Sequence, residues 1–336
     1  MNNRSLPASS RDAAKKKSTL WHFPLFALIA IFLIFIPFGG NGYWVRVITS
    51  AFMFAIMAES VNIVSGYAGY AALGNVVFFG IGAYTSAILM TKVGVPFYIA
   101  LFASGIVAAL FAFVLGLPVM RAKGHYFVMA TLGLNELFKQ VINNMDNLAG
   151  GGKGITLPII SMPPRQLYAF FYFLMLAILV ATVLVTYLIT KNRLGYGLRA
   201  IRANQEAAGV MGINTTLYKA LAWSLSAFFT GLAGSVYANW QTFIEPPVVF
   251  DVVITVKMFV ILLLGGQGTI WGPVLGAFVL ELLGELIWGS FPEFHLGILG
   301  ILIILVVLFM PQGLISLSRG KVSLKGLLIS LKEGKI

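Results

Sequence analysis

The stretch 191-KNRLGYGLRAIRANQEAAGVMGINTTLYK-219 decides how the chain is read, because it is the one long polar segment between Leu20 and Met310. Apolar runs with short breaks lie on either side of it. The segment holds five basic residues (Lys191, Arg193, Arg199, Arg202, Lys219) and one acid, Glu206. It is too basic to lie in hydrocarbon and too short to be a domain. From Leu198 to Val210 it has no proline and no internal glycine before Gly209, and Ala200, Ala203, Ala207 and Ala208 favour helix, so a short helix is expected. Arg199, Arg202 and Glu206 stand at i, i+3 and i+7, on one face of it, and Gly209 and Gly212 are natural stops. A short helix between two membrane-length runs lies along the membrane surface. It offers a small alanine-rich patch to something in the water, which is the geometry of a docking element.

Composition sets the frame around this segment. Apolar residues make up 59% of the chain and charged residues 10%, against roughly 25% charged in a soluble domain. Several runs reach the ~18–20 residues that a crossing requires, and a bilayer accepts only backbones that satisfy their own hydrogen bonds. The fold class is therefore all-α, a polytopic membrane helix bundle. A net charge of +12 suggests nucleic acid in a soluble chain, but here its distribution matters more than its sum. With no cysteine there is no disulfide framework, thiolate chemistry or cysteine metal site, and His22, His125 and His295 are too scattered for a zinc centre. Gly151-Gly152-Lys153-Gly154 lacks the spacing of a phosphate cradle, and no His-Glu-x-x-His occurs. No cofactor is implied, no catalytic constellation converges, and any energy for transport comes from a partner or a coupling ion.

Ten spans are expected, at 20–38, 45–65, 71–91, 96–118, 124–143, 167–190, 219–240, 251–264, 273–289 and 294–310. They put both termini on one side, with a basic tail at 1–19, a transmembrane unit at 20–316 interrupted by the loop 191–218, and a second basic tail at 317–336. The tails, Arg121, Lys123 and the central loop hold 17 Lys/Arg, against four (Arg46, Lys92, Lys153, Arg165) on the opposite side. That asymmetry places the tails and the loop in the cytoplasm. The charged N-terminus followed by an apolar run resembles a signal peptide, but no small-x-small cleavage site follows, so a retained first span is expected. The segment 251–264 is short and carries Asp251 and Lys257, which leaves it as either a span or a re-entrant element.

Rows of small residues equip the spans for close packing: Ala222, Ser226, Thr230, Gly234 and Ala238, then Ala227, Gly231 and Ser235, and the pair Gly272/Gly276 with Gly284 beyond it. Two glycine-rich breaks, 65-SGYAGYAALGNVVFFGIGAY-84 and 265-GGQGTIWGPVLGAF-278, share a Gly-x7-Gly-Ala-aromatic pattern, which is either an internal repeat marking a substrate route or chance in a glycine-rich chain. Ionisable residues inside expected spans cost ~2.5 kcal/mol or more at the bilayer centre. Glu136 and Lys139 are spaced to pair; Glu59, without a local cation and on a face with Asn62, is the stronger candidate for a polar path. The bland reading of Glu136/Lys139 and of Glu281/Glu285 is structural.

At 78-FFGIGAYTSAIL-89, 118-PVMRAKGHYFVMATLGLNELFK-139, 195-GYGLRAIRANQEAAGVMGIN-214, 230-TGLAGSVYA-238, 262-LLLGGQGTIWGPVLGA-277 and 311-PQGLI-315 the chain resembles the branched-chain amino acid ABC transporter permeases of the LivM type. The likeness runs from about residue 60 to 316. It implies that Glu206, Ala207, Ala208 and Gly212 form a coupling loop, flanked by Arg199 and Arg202, that docks on a cytoplasmic ATPase. It further implies two ATP-binding subunits, a second permease of the LivH type and an extracytoplasmic solute-binding protein, all at a bacterial cytoplasmic membrane. The outer loop 148-LAGGGKGI-155 departs from the family's usual Thr-Gly-Gly at Ala149. The expected function is the permease subunit of an ATP-driven importer for branched-chain or hydrophobic amino acids. Rival readings are a urea or short-amide permease, a sugar or nucleoside permease, and an ion-coupled carrier using Glu59 and Glu136/Lys139; a self-sufficient carrier has no need of a docking helix.

Overall fold

The computed structural model describes residues 41–122 and 124–290, with positions 37, 297, 300, 313 and 314. The tails 1–19 and 317–336 and the expected spans 20–38 and 294–310 lie outside the described residues. Ten helices of six residues or more organise what is described: α1 (Gly42–Val61), continued by a wide turn over Asn62–Gly66; α2 (Val76–Ile88), continued over Leu89–Val93; α3 (Phe97–Val119); α4 (His125–Asn143); α5 (Pro164–Lys191); α6 (Arg193–Ala203); α7 (Gln205–Val210); α8 (Thr215–Gln241); α9 (Val252–Gly265); and α10 (Gly272–Ser290). A two-residue ribbon pairs β1 (Ile155–Thr156) with β2 (Phe243–Ile244), antiparallel.

Directions follow from contacts between side chains. Gly42 lies against Tyr168, Phe52 against Tyr172 at 5.0 Å between ring centres, and Glu59 beside Thr186, so α1 and α5 run parallel. Tyr43 bonds Glu285, Ser50 donates to Glu281 at 3.3 Å and Asn62 donates to the Thr269 carbonyl at 2.8 Å. Those partners descend as α1 ascends, so α10 is antiparallel to α1. Lys257 pairs with Glu281 at 2.5 Å, and Gly276 and Gly272 meet the backbone of Ile261 and Gly265, closing α9 and α10 into a tight hairpin. The bundle thus has a basic end, where α1, α3, α5 and α9 finish and the 191–219 loop lies, and a ribbon end carrying Arg46, Lys92, Lys153 and Arg165.

The hairpin decides the path of the short charged segment. After the ribbon, the single turn Pro246–Val249 and α9 together carry the chain from the ribbon end to Gly265 at the basic end, a 20-residue stretch apolar enough to cross a bilayer. It does not fold back on itself. Lys257 is accommodated by Glu281 and by the ring of Phe54, 4.0 Å away, as an ion pair inside apolar surroundings requires.

The small-residue rows work as packing surfaces. All eight row positions in α8 are buried. A side chain at Gly234 would run into the Phe79 carbonyl of α2, and one at Gly231 would sit 2.7 Å from Ala108 Cβ of α3. Glycine there lets α8 thread between α2 and α3 at backbone contact, where dispersion between close backbones replaces the water-driven burial that lipid does not supply. Gly276 is used in the same way, but Gly284 meets nothing. Asn75, at the mouth of α2, accepts from Trp223 Nε1 at 3.2 Å and donates to Thr230 Oγ1 at 3.1 Å, satisfying a buried amide that would otherwise cost several kcal/mol.

Among the described residues six helical stretches are long and apolar enough to cross a membrane: Gly42–Gly66, Val76–Val93, Phe97–Val119, Pro164–Lys191, Thr215–Gln241 and Pro246–Gly265. The expected count of ten is not reached among them. α4 is not one of the six, because Asn135, Glu136, Lys139 and Gln140 dilute its apolar character. It does run the height of the bundle, from His125, shortly after Met120 at the basic end, to Asn143, next to Gly152 at the ribbon end.

Candidate functional site

The 191–219 segment forms an arm across the basic end, and its internal geometry differs from a single helix over 198–210. Asn204 adopts an extended conformation (φ −160°, ψ 112°), and its Oδ1 accepts from the N–H groups of Glu206 and Ala207 at 2.9 and 3.0 Å. An Asn cap that satisfies two free amides overrides alanine's preference to continue the helix. The break separates α6 from α7, so the expected common face of Arg199, Arg202 and Glu206 does not form. Arg199 and Arg202 ride on α6, while Glu206 sits in the first turn of α7, where its charge favours the positive helix end.

Glycine fits α6 tightly to its neighbours. A Cβ at Gly195 would overlap the Ile189 carbonyl at the end of α5, and one at Gly197 the ring of Tyr218 in α8. Arg199 donates to the Thr190 carbonyl at 2.8 Å and lies over the Tyr196 ring. Arg202 donates to the carbonyl of Gly66. Lys219 is wholly buried: its ammonium donates to the Met120 carbonyl at 2.6 Å, lies 4.1 Å from the ring centre of Tyr70, and stands 3.5 Å from Gln205 Oε1. Tyr70 also bonds Gln205. The arm is thus held at both ends, and Lys219, expected as a loop cation, is an internal strut.

Beyond these anchors α7 stands out from the bundle. Ala208 is buried against it, whereas Glu206 and Ala207 are exposed. The helix stops in a glycine-terminated turn: Ile213 N–H bonds the Ala208 carbonyl at 3.1 Å, and Gly212 takes φ +85° with open space around it. Gly212 is needed for its backbone angle rather than for room. The turn projects two large apolar side chains into open space, Val210 at 91% and Met211 at 83% exposed. Sequence reasoning passed over this pair. The available signal was an apolar doublet bounded by Gly209 and Gly212 in a segment too polar for lipid.

The other singled-out residues fall into two places. Glu59 and Asn62 are fully buried at the lower end of α1. Asn62 donates to Glu59 at 3.3 Å and to the Thr269 carbonyl at 2.8 Å, and accepts from Gly268 N–H at 2.8 Å. It pins the α9–α10 loop to α1. The second Glu59 oxygen, Oε1, has no hydrogen-bond partner among the described residues. Glu136 and Lys139 lie on the outer face of α4, 3.6 Å apart and 52% and 31% exposed, and Gln140 donates to Glu136 at 2.8 Å. The structure does not bring the Glu59/Asn62 and Glu136/Lys139 pairs together. Among the described residues no group of three or more His, Cys, Asp or Glu could hold a metal ion.

Comparison with known proteins bears on this arrangement. The model of the family described as the branched-chain amino acid transport system permease component matches residues 43–307. Over 95% of its length the chain is 29% identical to the high-affinity branched-chain amino acid transport system permease protein LivM of Salmonella typhimurium, covering 80% of that protein. The LivM of Escherichia coli matches with the same identity and coverage. Similarity to the Escherichia coli permease protein LivH is 29% over 42% of this chain and 44% of that one. No solved structure matches the chain. The family match begins in α1, takes in both glycine-rich breaks and the whole arm, and extends past α10: the chain belongs to the permease components of branched-chain amino acid transport systems.

Proposed function

We propose that this chain is the membrane-spanning permease subunit of an ATP-driven importer for branched-chain or related hydrophobic amino acids. The observation that carries the reading is the exposed tip of the arm. Val210 and Met211 are large apolar side chains held away from the bundle on a braced support, and burying each in a partner is worth ~1.5–3 kcal/mol. On this reading Glu206, Ala207, Val210, Met211 and Gly212 meet a groove on a cytoplasmic ATP-binding subunit, while Arg199 and Arg202 hold the arm to the bundle.

The topology supports a ten-span chain with both termini in the cytoplasm. α10 rises from the basic end, and Gly313, beyond the expected last span, packs against Gly266 at the basic end again. The exposed stripe of α4, with Tyr126, Met129, Glu136, Leu137 and Gln140, mixes apolar and polar side chains. Lipid does not tolerate such a face; a second permease subunit across a polar translocation path does. Glu59 and Asn62, fully buried at the basic end of α1 and apart from that stripe, are a separate polar position that the route reaches only when the bundle rearranges. An extracytoplasmic binding protein delivers the amino acid to the ribbon end, and closure of two ATP-binding subunits drives alternating access through the arm. The substrate class comes from the LivM relatives, which match almost the whole chain.

The test is reconstitution of the chain with a LivH-type permease, the ATP-binding subunits and the binding protein in liposomes. Leucine uptake is expected to require internal ATP and to survive collapse of proton and sodium gradients. Uptake that persists without ATP and stops on adding an ionophore sinks the reading in favour of an ion-coupled carrier.

A further inference from the structure

The two glycine-rich breaks meet each other beneath the arm. At the lower end of α1 the wide turn closes at Gly66, and a Cβ there would lie 2.7 Å from the N–H nitrogen of Gly268 in the α9–α10 loop. Asn62 stitches the two together through Gly268 N–H and the Thr269 carbonyl. Into this junction comes one side chain from α6. The stem of Arg202 passes over Gly69, where an added Cβ would sit 3.0 Å from Arg202 Cγ. Its guanidinium donates to the Gly66 carbonyl, and a Cβ on Gly268 would sit 2.8 Å from Nη1. Gly69 and Gly268 both take φ +77°, a conformation that suits glycine. Gly69 and Gly268 thus leave the room that the stem and the guanidinium of Arg202 take up, and Gly66 supplies the carbonyl that it bonds.

We infer that Arg202 is the positioning residue through which movement of the arm reaches the transmembrane helices. It grips the C-terminal end of α1, where backbone carbonyls lack helical partners and carry the negative end of the helix dipole. Through Gly268 the same guanidinium touches the link between α9 and α10. A displacement of α6 therefore reaches α1 and the α9–α10 hairpin together, and the hairpin is itself tied to α1 by Asn62, Ser50 and Tyr43. Val210 and Met211 would take the push; Arg202 would pass it on. Arginine suits the post because its planar fork reaches a carbonyl and a backbone surface at once, whereas lysine supplies only a point charge.

This inference rests on the docking reading above, and the experiment separates the two. In the reconstituted complex, Arg202→Gln is expected to retain co-purification with the ATP-binding subunits and to hydrolyse ATP within about twofold of the parent, while leucine uptake falls about tenfold or more, the size of a coupling of ~1–3 kcal/mol. Arg202→Lys, which can still reach the Gly66 carbonyl, recovers part of the uptake. Gly268→Ala, which puts a methyl where the guanidinium lies and forces φ +77° on an L side chain, gives the same uncoupled phenotype; its backbone strain is independent of residue 202, but because the contact is shared the double variant loses less than the sum of the two single losses. Met211→Asp, by contrast, loses the ATP-binding subunits. The inference is overturned if Arg202→Gln transports like the parent, if it sheds the ATP-binding subunits as Met211→Asp does, or if the losses at Arg202 and Gly268 are fully additive. Met211→Asp that keeps its partners refutes the docking reading instead.

Discussion

Replacing Val210 and Met211 together with serine isolates the contribution of the arm's tip. Both side chains are almost fully exposed, so the exchange removes no internal packing and leaves α7, its Asn204 cap and the Gly212 turn as they are. The chain alone is expected to express and unfold as the parent does. In a complex the two side chains go from open solvent to buried. At ~1.5–3 kcal/mol for burying each, and allowing for incomplete burial and for ordering the side chains, the pair contributes about 3 kcal/mol, on the order of a hundredfold in affinity. Titrating purified ATP-binding subunit onto the permease in nanodiscs measures this directly. A double-serine variant that binds within about threefold of the parent refutes the idea that these side chains are the anchor, and with it the energetic basis of the docking reading.

Other expectations follow from the same structure. Gly212→Val forces φ +85° on a branched side chain, a strain of ~1–3 kcal/mol that unwinds the end of α7; uptake and ATPase stimulation should both fall with no change in bundle melting. Glu206→Lys puts a cation at the positive end of α7 and should lower coupled uptake, read in the same assay. Glu281→Ala strands the partly buried Lys257, for a loss of ~3 kcal/mol visible as a lower melting temperature, and Lys257→Met/Glu281→Met should restore most of it. Glu59→Gln keeps the shape of a fully buried side chain and is expected to lower uptake while assembly stays intact; parental uptake would remove Glu59 from the path.

Much of the architecture was legible because membrane helices announce themselves as apolar runs, and the rows in α8 announce their own packing by size alone. What could not be read was anything set by a contact distant in sequence. Lys257 and Glu281 looked like separate intramembrane charges, since only the hairpin register makes them neighbours. Lys219 counted as one more loop cation until the fold placed Met120, Tyr70 and Gln205 around it. Asn204 is a different case. Its capping ability is local and visible, but four alanines around it argued for an unbroken helix, and two backbone hydrogen bonds outweighed them. The family motifs point to the arm, yet the exposed Val210–Met211 tip is a property of the turn at Gly212, which no composition argument supplies.

Because the chain has no cysteine, Met211→Cys creates a unique, exposed thiol at the tip of the arm, and its reaction with a membrane-impermeant maleimide is the most direct test. The account predicts labelling in inside-out vesicles, none in intact cells or right-side-out vesicles, and protection when the ATP-binding subunit is present. Labelling from the outer face, or labelling that the ATP-binding subunit leaves unchanged, would contradict it.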